Sequence, residues 1–375
     1  MSGRSTTSDV LDVRALNRAT LARQSLLERS SATPAEMIAQ LVGMQAQAPM
    51  PPYFGLWSRL TDFVPDQLAT LLLERQVVRI VLMRGTVHLV TADDALMLRP
   101  LVQPIMDADL WGNPQRTPQL RGVDLDALGS SARRLVEERP RPNAELARLL
   151  AEHWPQAAPT ALAYAARNLL ALVQVPPRGV WGRSGQPTFT TAEAWLGRGL
   201  DPAPSIDDVA LRYLAAFGPA SVGDFQVWYG LTRMREVFDR LRPRLRTFTD
   251  PEGRELVDLP DAPRPGGDVA APPRFLPSFD NLLRSHAVRT RVIGDDARRA
   301  IATPNGVEPG TFLLDGFVAG TWRLDQKRGR ATLVIEPFAP VSAADRSALE
   351  GEGAALVEFA APDADARDVH VAQPA

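Results

Sequence analysis

The chain has 375 residues, a formal net charge of −2, 45% hydrophobic and 23% charged residues, a composition typical of a globular protein of about two to four domains. It contains no cysteine, which excludes disulfides, thiolate zinc sites, iron–sulfur clusters and a cysteine nucleophile. No apolar run approaches the roughly 20 residues of a membrane span, and no apolar signal region opens the sequence, so we expect a cytoplasmic protein that does not enter a membrane.

The histidines and the basic residues set further limits. The chain has four histidines, His88, His153, His286 and His370. They lack the spacing of metal ligands, so we expect no bound metal. We expect no other cofactor either. Arginine supplies nearly all of the positive charge, and Lys327 is the only lysine. Residues 341–375 hold seven acidic residues and two arginines, which leaves 40 basic and 37 acidic residues before them. Any contact with nucleic acid must therefore come from a local basic patch.

One helix is marked unusually clearly near the start of the chain. Thr33-Pro34-Ala35-Glu36 is a capping box with proline at the first helical position. The apolar spacing that follows places Gln45 on the buried stripe, and Pro49 excludes a longer helix. The pattern predicts a helix over 34–47 that stops at Gln45-Ala46-Gln47. An inward glutamine must satisfy its amide, either through local backbone at the helix end or in a polar cavity.

The order of helices followed by a pair of strands recurs three times along the chain. Helices are predicted at 11–28, 34–47, 65–74, 125–138, 143–154, 160–172, 206–217, 222–229 and 232–242, and strand pairs at 77–83/86–90, 173–175/188–190 and 245–248/255–259. This order is expected of a winged helix, and the Pro-, Gly- and Asn-rich interval 107–122 reads as a linker.

Beyond a Pro/Gly/Asp-rich boundary at 260–273 the pattern becomes β-rich. Strands are predicted at 287–293, 310–314, 317–324, 330–336 and 355–359, with an Asp-Gly hairpin turn at 315–316, a helix at 343–349 and a loose acidic tail over 361–375. The predicted fold class is therefore α+β, with tandem winged-helix (helix-turn-helix plus wing) units followed by a C-terminal β-rich part. The predicted limits are 11–106, 107–200 and 201–262 for the three winged helices and 270–360 for the β-rich domain.

Familiar catalytic and phosphate-binding motifs are missing from the chain. There is no G-x-S-x-G, no G-x-x-x-x-G-K, and no G-x-G-x-x-G after a strand. Two basic clusters are candidate DNA contacts. Each of them could instead be an ordinary solvated surface. The first follows the segment 275–283 and consists of Arg284, His286, Arg289 and Arg291. The second lies on a predicted hairpin tip and consists of Lys327, Arg328 and Arg330.

Several stretches together resemble the bacterial winged-helix DNA glycosylase family (AlkZ/YcaQ-like). They are Leu16–Gln24, Leu41–Pro49, Pro52–Trp57, Arg84–Val90 and Leu276–Asn281, within a resemblance that covers roughly residues 11–340. One branch of this family carries Gln-x-Asp and another Gln-x-Gln, and Gln45-Ala46-Gln47 matches the second branch.

The resemblance implies a DNA glycosylase that excises N7-alkylguanine and unhooks interstrand crosslinks such as those of azinomycin, giving self-resistance or DNA repair. It implies that Gln45 and Gln47 are the catalytic residues. Its expected partner is double-stranded DNA carrying alkylated guanine or an interstrand crosslink, bound by a cytoplasmic, nucleoid-associated monomer. The alternative is a non-catalytic winged-helix DNA-binding or regulatory protein, since sharing a fold does not establish an activity.

Two neutral amide side chains are sufficient for the excision of an N7-alkylated guanine. Alkylation at N7 makes guanine cationic, so the base leaves as a neutral molecule and needs no general acid. A glutamine can orient water and direct a carbonyl dipole at positive charge developing on the sugar. Strand-cutting glycosylases form a Schiff base through an amine, and with Lys327 on a predicted turn we expect a monofunctional enzyme without lyase activity.

Overall fold

The computed structural model of the chain describes residues 9–303 and 308–374, which form a mixed α and β protein with three sheets. Its helices are α1 (Val13–Arg23), α2 (Pro34–Gln40), α3 (Pro51–Trp57), α4 (Pro65–Leu73), α5 (Ala92–Leu101), α6 (Gln103–Gly112), α7 (Leu125–Glu138), α8 (Asn143–Ala151), α9 (Pro159–Leu169), α10 (Ala192–Leu196), α11 (Ile206–Phe217), α12 (Val222–Tyr229), α13 (Arg235–Leu241), α14 (Asp295–Ala300) and α15 (Ala343–Ala360).

The strands include several of only two or three residues. They are β1 (Asp9–Val10), β2 (Met44–Gln45), β3 (Val77–Val81), β4 (Val87–Thr91), β5 (Arg141–Pro142), β6 (Leu172–Gln174), β7 (Thr188–Thr191), β8 (Arg246–Thr249), β9 (Glu255–Asp258), β10 (Arg274–Leu276), β11 (Gly310–Leu314), β12 (Phe317–Lys327), β13 (Arg330–Pro337) and β14 (Ala366–Val371).

One arrangement of elements occurs three times: a helix, a short extended stretch, two helices and a strand pair. The first unit runs α2–β2–α3–α4–β3–β4, the second α7–β5–α8–α9–β6–β7, and the third α11–α12–α13–β8–β9. In each unit the short stretch pairs with the last strand: β2 with β4, β5 with β7, and Ala220 with Val257. The recurrence of helices followed by a strand pair, predicted from the sequence, is present in all three places.

The first two units share a single sheet with the order β2-β4-β3-β6-β7-β5. Its two halves are joined where β3 pairs antiparallel with β6, at Arg79↔Gln174 and Ile80↔Val173. The predicted hairpin is confirmed as β3 and β4, which are antiparallel and connected by a tight turn at Met83–Gly85. The glutamine pair therefore lies at one edge of a sheet that continues into the second unit.

The helix that begins at the capping box is much shorter than the sequence predicted. Helix α2 ends at Gln40, and residues 44–45 form a strand, so the expectation of a helix over 34–47 was wrong. Val42 (φ 53°) and Gly43 (φ 90°) are both left-handed, and the Gly43 N–H donates to the Ile38 carbonyl at 2.9 Å, a Schellman helix ending. A β-branched residue rarely adopts that conformation. Here the fully buried Val42 side chain offsets the strain by packing.

Four other local predictions need correction. Helix α6 continues to Gly112 into the proposed linker 107–122, and residues 287–293 form no strand. The supposed strand 355–359 belongs to α15, while Ala366–Val371 of the supposed tail forms β14, parallel to β13. Strand β14 is held by a long-range contact: Val369 lies against Gly353 of α15, where an added Cβ would stand 3.1 Å from its Cγ1. The hairpins β11–β12 and β12–β13 are confirmed.

The loop after β10 contacts the first unit and so holds it against the C-terminal sheet. We call this loop, residues 277–281, the anchor loop. Asp280 at its end accepts two hydrogen bonds from Arg59, at 2.9 and 2.8 Å, and both side chains are almost fully buried. Asp280 also accepts from the N–H of Leu282. The ion pair fixes the loop against α3 and so positions Asn281 beside β2.

We predict that Asp280→Ala lowers the free energy of unfolding by about 3–5 kcal/mol, because it leaves Arg59 buried without its carboxylate. Urea unfolding followed by circular dichroism measures the change. The control is Glu255→Ala, which breaks a half-exposed pair with Arg242 and is expected to cost less than about 1 kcal/mol. Equal losses for the two variants would contradict the anchoring role of Asp280.

Candidate active site

The two glutamines lie on a short extended segment, residues 43–47, which we call the glutamine segment. It pairs with β4 through Met44↔Leu89 and Gln45↔His88, and the Ala46 N–H continues the pairing by donating to the Val87 carbonyl at 2.7 Å. An added Cβ on Gly43 would stand 2.5 Å from Cγ1 of Val90, so a larger residue there would push the segment away from β4. The sheet edge thus sets where both side chains begin.

Gln45 is nearly buried and is held by a hydrogen bond to its side chain. Its Oε1 accepts from Nη2 of Arg84 at 2.9 Å, and the residue is 6% exposed. It borders a cavity of about 10 Å³ together with Arg59 and the anchor loop. A cavity of that size has room for about one water molecule. The site at Gln45 can therefore hold a water but cannot enclose a base.

Gln47 is exposed, and its Oε1 accepts from the N–H of Val87 at 3.2 Å. Arginine and backbone N–H groups can only donate, so the contacts assign oxygen and nitrogen in both amides. Among the described residues neither Nε2 has a protein partner. Both glutamines accordingly turn their oxygen toward the protein and leave their NH₂ group free.

Two long-range hydrogen bonds fix the backbone of the glutamine segment. Nδ2 of Asn281 donates to the Gly43 carbonyl at 2.6 Å, and Nη2 of Arg79 donates to the Ala46 carbonyl at 2.7 Å. Arg79 is 2% exposed, and its burial lowers the pKa of its guanidinium to about 10. The peptide between the two glutamines is therefore held by a buried cation.

The titratable groups around Gln45 are unsuited to acid–base work near neutral pH. His88, opposite Gln45, is fully buried, and burial together with the charge of Arg84 lowers its pKa to about 3. Its Nδ1 donates to the Thr86 carbonyl at 2.9 Å. Both oxygens of Asp280 are occupied by Arg59. His88 is therefore too weak a base to take a proton from water near neutral pH, and the carboxylate of Asp280 is engaged by Arg59.

Positive charge accumulates beside Gln45. Burial, and then the charges of Arg284 and Arg289, lower the pKa of Arg84 to about 10. Arg284 pairs with Glu308 at 2.8 Å, and the pKa of half-buried Arg289 is lowered by burial and by Arg284. These two of the four candidate cations after the anchor loop lie near the glutamines.

The other two candidates from that stretch are interior, which corrects the expectation that they face phosphates. Nε2 of His286 donates to the Phe217 carbonyl at 2.9 Å, and Nη1 of Arg291 donates to the Pro219 carbonyl at 2.8 Å. Both side chains lie beside Asp224, and burial lowers the pKa of each. They hold the junction of α11 and α12 in the third unit through these backbone contacts.

The second basic cluster lies elsewhere on the molecule. Lys327, Arg328 and Arg330 surround the exposed β12–β13 turn, and Arg330 pairs with Asp368 at 2.7 Å. They border a separate hollow that includes Trp181 and Asp363. The structure does not bring this tip together with Gln45.

Sequence reasoning missed the residues that support the glutamines. Arg79, Arg84 and Asn281 make the contacts that fix the segment, yet none of them was a candidate site residue, although Arg84 and Asn281 lie within the stretches that carry the resemblance. The available signals were an arginine inside an apolar strand pattern and an arginine before a turn glycine. Neither pattern indicates which residue the arginine contacts.

No cluster of three or more histidine, aspartate or glutamate residues capable of holding a metal occurs in residues 9–303 and 308–374. Across the same ranges, none of the helices combines the length and apolarity that crossing a bilayer requires.

Comparison with known proteins shows the family of the chain. A profile described as "DNA glycosylase AlkZ-like" matches residues 38–359, a range that contains the glutamine segment, Arg84 and the anchor loop. The chain is 26% identical over 367 residues to the interstrand DNA cross-link repair glycosylase of Streptomyces sahachiroi, covering 88% of this chain and 92% of that protein.

A solved structure has the same fold. The DNA glycosylase AlkZ of Streptomyces sahachiroi superposes with a TM-score of 0.76 at 20% identity, covering 97% of this chain and 100% of the other. The resemblance recognised from the sequence motifs is confirmed by the profile match over most of the chain. The chain belongs to the family of AlkZ-like DNA glycosylases.

Proposed function

We propose that the protein is a monofunctional DNA glycosylase that hydrolyses the N-glycosidic bond of cationic N7-alkylguanine in double-stranded DNA and unhooks interstrand crosslinks built on such lesions. The observation that carries this proposal is the pair Gln45 and Gln47 on a rigid sheet edge, where Gln45 borders space for one water and the neighbouring His88 is too weak a base to act near neutral pH. Such a site suits a base that leaves without being protonated.

The reaction needs little from the protein beyond positioning. N7 alkylation gives the guanine a positive charge, so when the C1′–N9 bond breaks its electron pair neutralises the departing base. A water must then reach C1′ of an oxocarbenium-like sugar, and fixed dipoles stabilise the charge that moves in the transition state. Neutral purines lack the built-in charge, and a pair of amides cannot supply the missing proton, so intact purines are poor substrates.

The lesion is read in place, without being flipped into a closed pocket. The cavity at Gln45 measures about 10 Å³, far below the roughly 300 Å³ at which small-molecule pockets begin. Gln47 is exposed at the same edge. An open edge accommodates a bulky crosslink, which cannot enter an enclosed base pocket.

The wider molecule is proposed to bind duplex DNA as a monomer through three winged-helix units. We assign these units to the predicted ranges 11–106, 107–200 and 201–262, with the first limit moved to Gly112, where α6 ends, because each repeats the same pairing of a short stretch with the last strand. The β-rich domain predicted at 270–360 extends to Val371, the end of β14. Arg284 and Arg289 are the proposed phosphate contacts beside Gln45. The β12–β13 tip with Lys327, Arg328 and Arg330 is a second proposed contact.

We expect no lyase activity because of where the one lysine of the chain lies. A Schiff base with the abasic sugar requires an amine at C1′, whereas Lys327 lies on the β12–β13 turn and borders a different hollow from Gln45. The proposed product is therefore an intact strand with an abasic site, formed in the cytoplasm on nucleoid DNA.

A non-catalytic DNA-binding or regulatory protein is the second candidate, and the near-complete burial of Gln45 is the observation that favours it. In that case Gln45 and Gln47 only satisfy hydrogen bonds of the sheet edge. Replacing them would then lower stability without affecting repair.

We predict that Gln45→Ala and Gln47→Ala each reduce the release of 7-methylguanine by about 10²-fold or more, the scale seen when a fixed transition-state contact is removed. The measurement is strand breakage after alkali treatment of a duplex with one N7-methylguanine. DNA affinity and melting temperature are recorded for each variant, with Gln119→Ala, an exposed glutamine on another surface, as the matched control. Unchanged release in both glutamine variants would favour the regulator.

We further predict that the rate of base release is flat between about pH 6 and pH 9. The pKa of His88 is lowered to about 3 and that of Arg84 to about 10, so neither group beside Gln45 changes charge in this window. Single-turnover rates, corrected for spontaneous depurination at each pH, provide the measurement. A bell-shaped profile centred near neutrality would show that a titrating acid or base takes part.

A further inference from the structure

The orientation of the two amides departs from the simplest chemical expectation. A glutamine that stabilises an oxocarbenium ion would direct its carbonyl oxygen at the sugar. Here Oε1 of Gln45 accepts from Arg84 and Oε1 of Gln47 accepts from Val87 N–H, at 2.9 and 3.2 Å. The groups left free are the two NH₂ donors.

Arg84 is held firmly enough to impose this orientation. It occupies the β3–β4 turn with φ 55°, a left-handed conformation that non-glycine residues seldom adopt. Its Nη1 also donates to the Trp228 carbonyl at the end of α12. An added Cβ on Gly230 would stand 2.9 Å from N and Cα of Arg84, so the third unit packs directly on this turn. The guanidinium is therefore fixed from two units at once.

No carboxylate among the described residues lies within ion-pair distance of Arg84. Its neighbours are Gln45, the Trp228 carbonyl and two further cations, Arg284 and Arg289. A mostly buried arginine without a carboxylate partner lowers the stability of the fold. Unfavourable arrangements of this kind are typical of functional sites. Both of its terminal nitrogens already donate within the protein, to Gln45 and to the Trp228 carbonyl, which fixes the direction of the guanidinium.

We propose that Arg84 is a positioning residue that sets the polarity of the Gln45 amide, so that Gln45 acts in base release as a hydrogen-bond donor through Nε2. This inference rests on the proposed glycosylase function. The positive charge of Arg84 on Oε1 polarises the amide and strengthens its N–H groups as donors. The acceptor is the departing base.

The movement of electrons onto the departing base explains why a hydrogen-bond donor at Gln45 would accelerate the reaction. The C1′–N9 bond breaks, its electron pair moves to the base, and the water oxygen bonds to C1′ while its proton passes to solvent. Electron density therefore rises on the base acceptors N3 and O6 during the reaction. A donor fixed in advance binds them more tightly in the transition state than in the ground state, and this difference accelerates the reaction.

Two substitutions separate a donor from an acceptor role, with a duplex carrying one N7-methylguanine as the probe. Gln45→Glu keeps the shape and the contact to Arg84 but replaces the free NH₂ with an oxygen. We expect it to be as slow as Gln45→Ala. Arg84→Met keeps the length of the side chain without its donors, and we expect kcat to fall about 10- to 100-fold with KM within about two-fold of the wild type.

The control is Arg75→Met. Arg75 is also an arginine with positive φ (63°) that donates to a backbone carbonyl, that of Trp195, but it is on another surface. It should leave both kcat and KM unchanged. The double variant Arg84→Met/Gln45→Ala should be no slower than Gln45→Ala alone, since Arg84 acts only through Gln45.

The inference is overturned if Gln45→Glu equals or exceeds the wild type, if Arg84→Met changes KM alone or nothing, or if the double variant is slower than Gln45→Ala. Should Arg84→Met fail to fold, Gln45→Glu in the otherwise native chain decides the question. A wild-type protein that releases no 7-methylguanine would overturn the proposed function as well, whereas the other outcomes leave the glycosylase function standing.

Discussion

The backbone of the glutamine segment is held by hydrogen bonds from three separate parts of the chain. Asn281 of the anchor loop binds the Gly43 carbonyl, Arg79 of β3 binds the Ala46 carbonyl, and Val87 of β4 accepts from Ala46 N–H. All three contacts are at least partly buried, where an unpaired polar group is costly. The positions of both glutamine side chains therefore depend on the packing of the first unit against the C-terminal sheet.

This constraint explains why a site of two amides can be precise. An amide acts through a dipole, and a dipole stabilises charge only if its direction is fixed before the reaction. The segment supplies a fixed backbone, and Arg84 and Val87 fix the direction of the two side chains. Under the proposed function, the cations Arg284 and Arg289 draw the phosphates of DNA to the same edge, and those phosphates balance the positive charge of the lesion.

The sequence predicted local features well and long-range ones poorly. The capping box at Thr33, the β3–β4 hairpin and the Asp-Gly turn at 315–316 were correct because each is specified by neighbouring residues. The end of α2 was missed because Val42 adopts a conformation that its residue type disfavours, and only burial in the folded core permits it. Strand β14 was missed because its partner lies more than 30 residues away.

In the candidate site, too, local features could be predicted from the sequence and long-range contacts could not. The motif Gln45-Ala46-Gln47 could be recognised, and so could the nearby Arg284 and Arg289. The interior positions of His286 and Arg291 could not, because alternation along a presumed strand suggested a solvated face. Nor could the contacts of Arg79 and Arg84, since a hydrogen bond between residues 33 or 39 positions apart leaves no pattern in the sequence.

The central claim is that the lesion brings the positive charge which the site itself cannot supply as a proton. It is tested most directly by comparing single-turnover release of two bases from otherwise identical duplexes, one with N7-methylguanine and one with the neutral purine hypoxanthine. The account predicts rapid release of 7-methylguanine and no release of hypoxanthine above the spontaneous rate. Comparable release of both bases would contradict it.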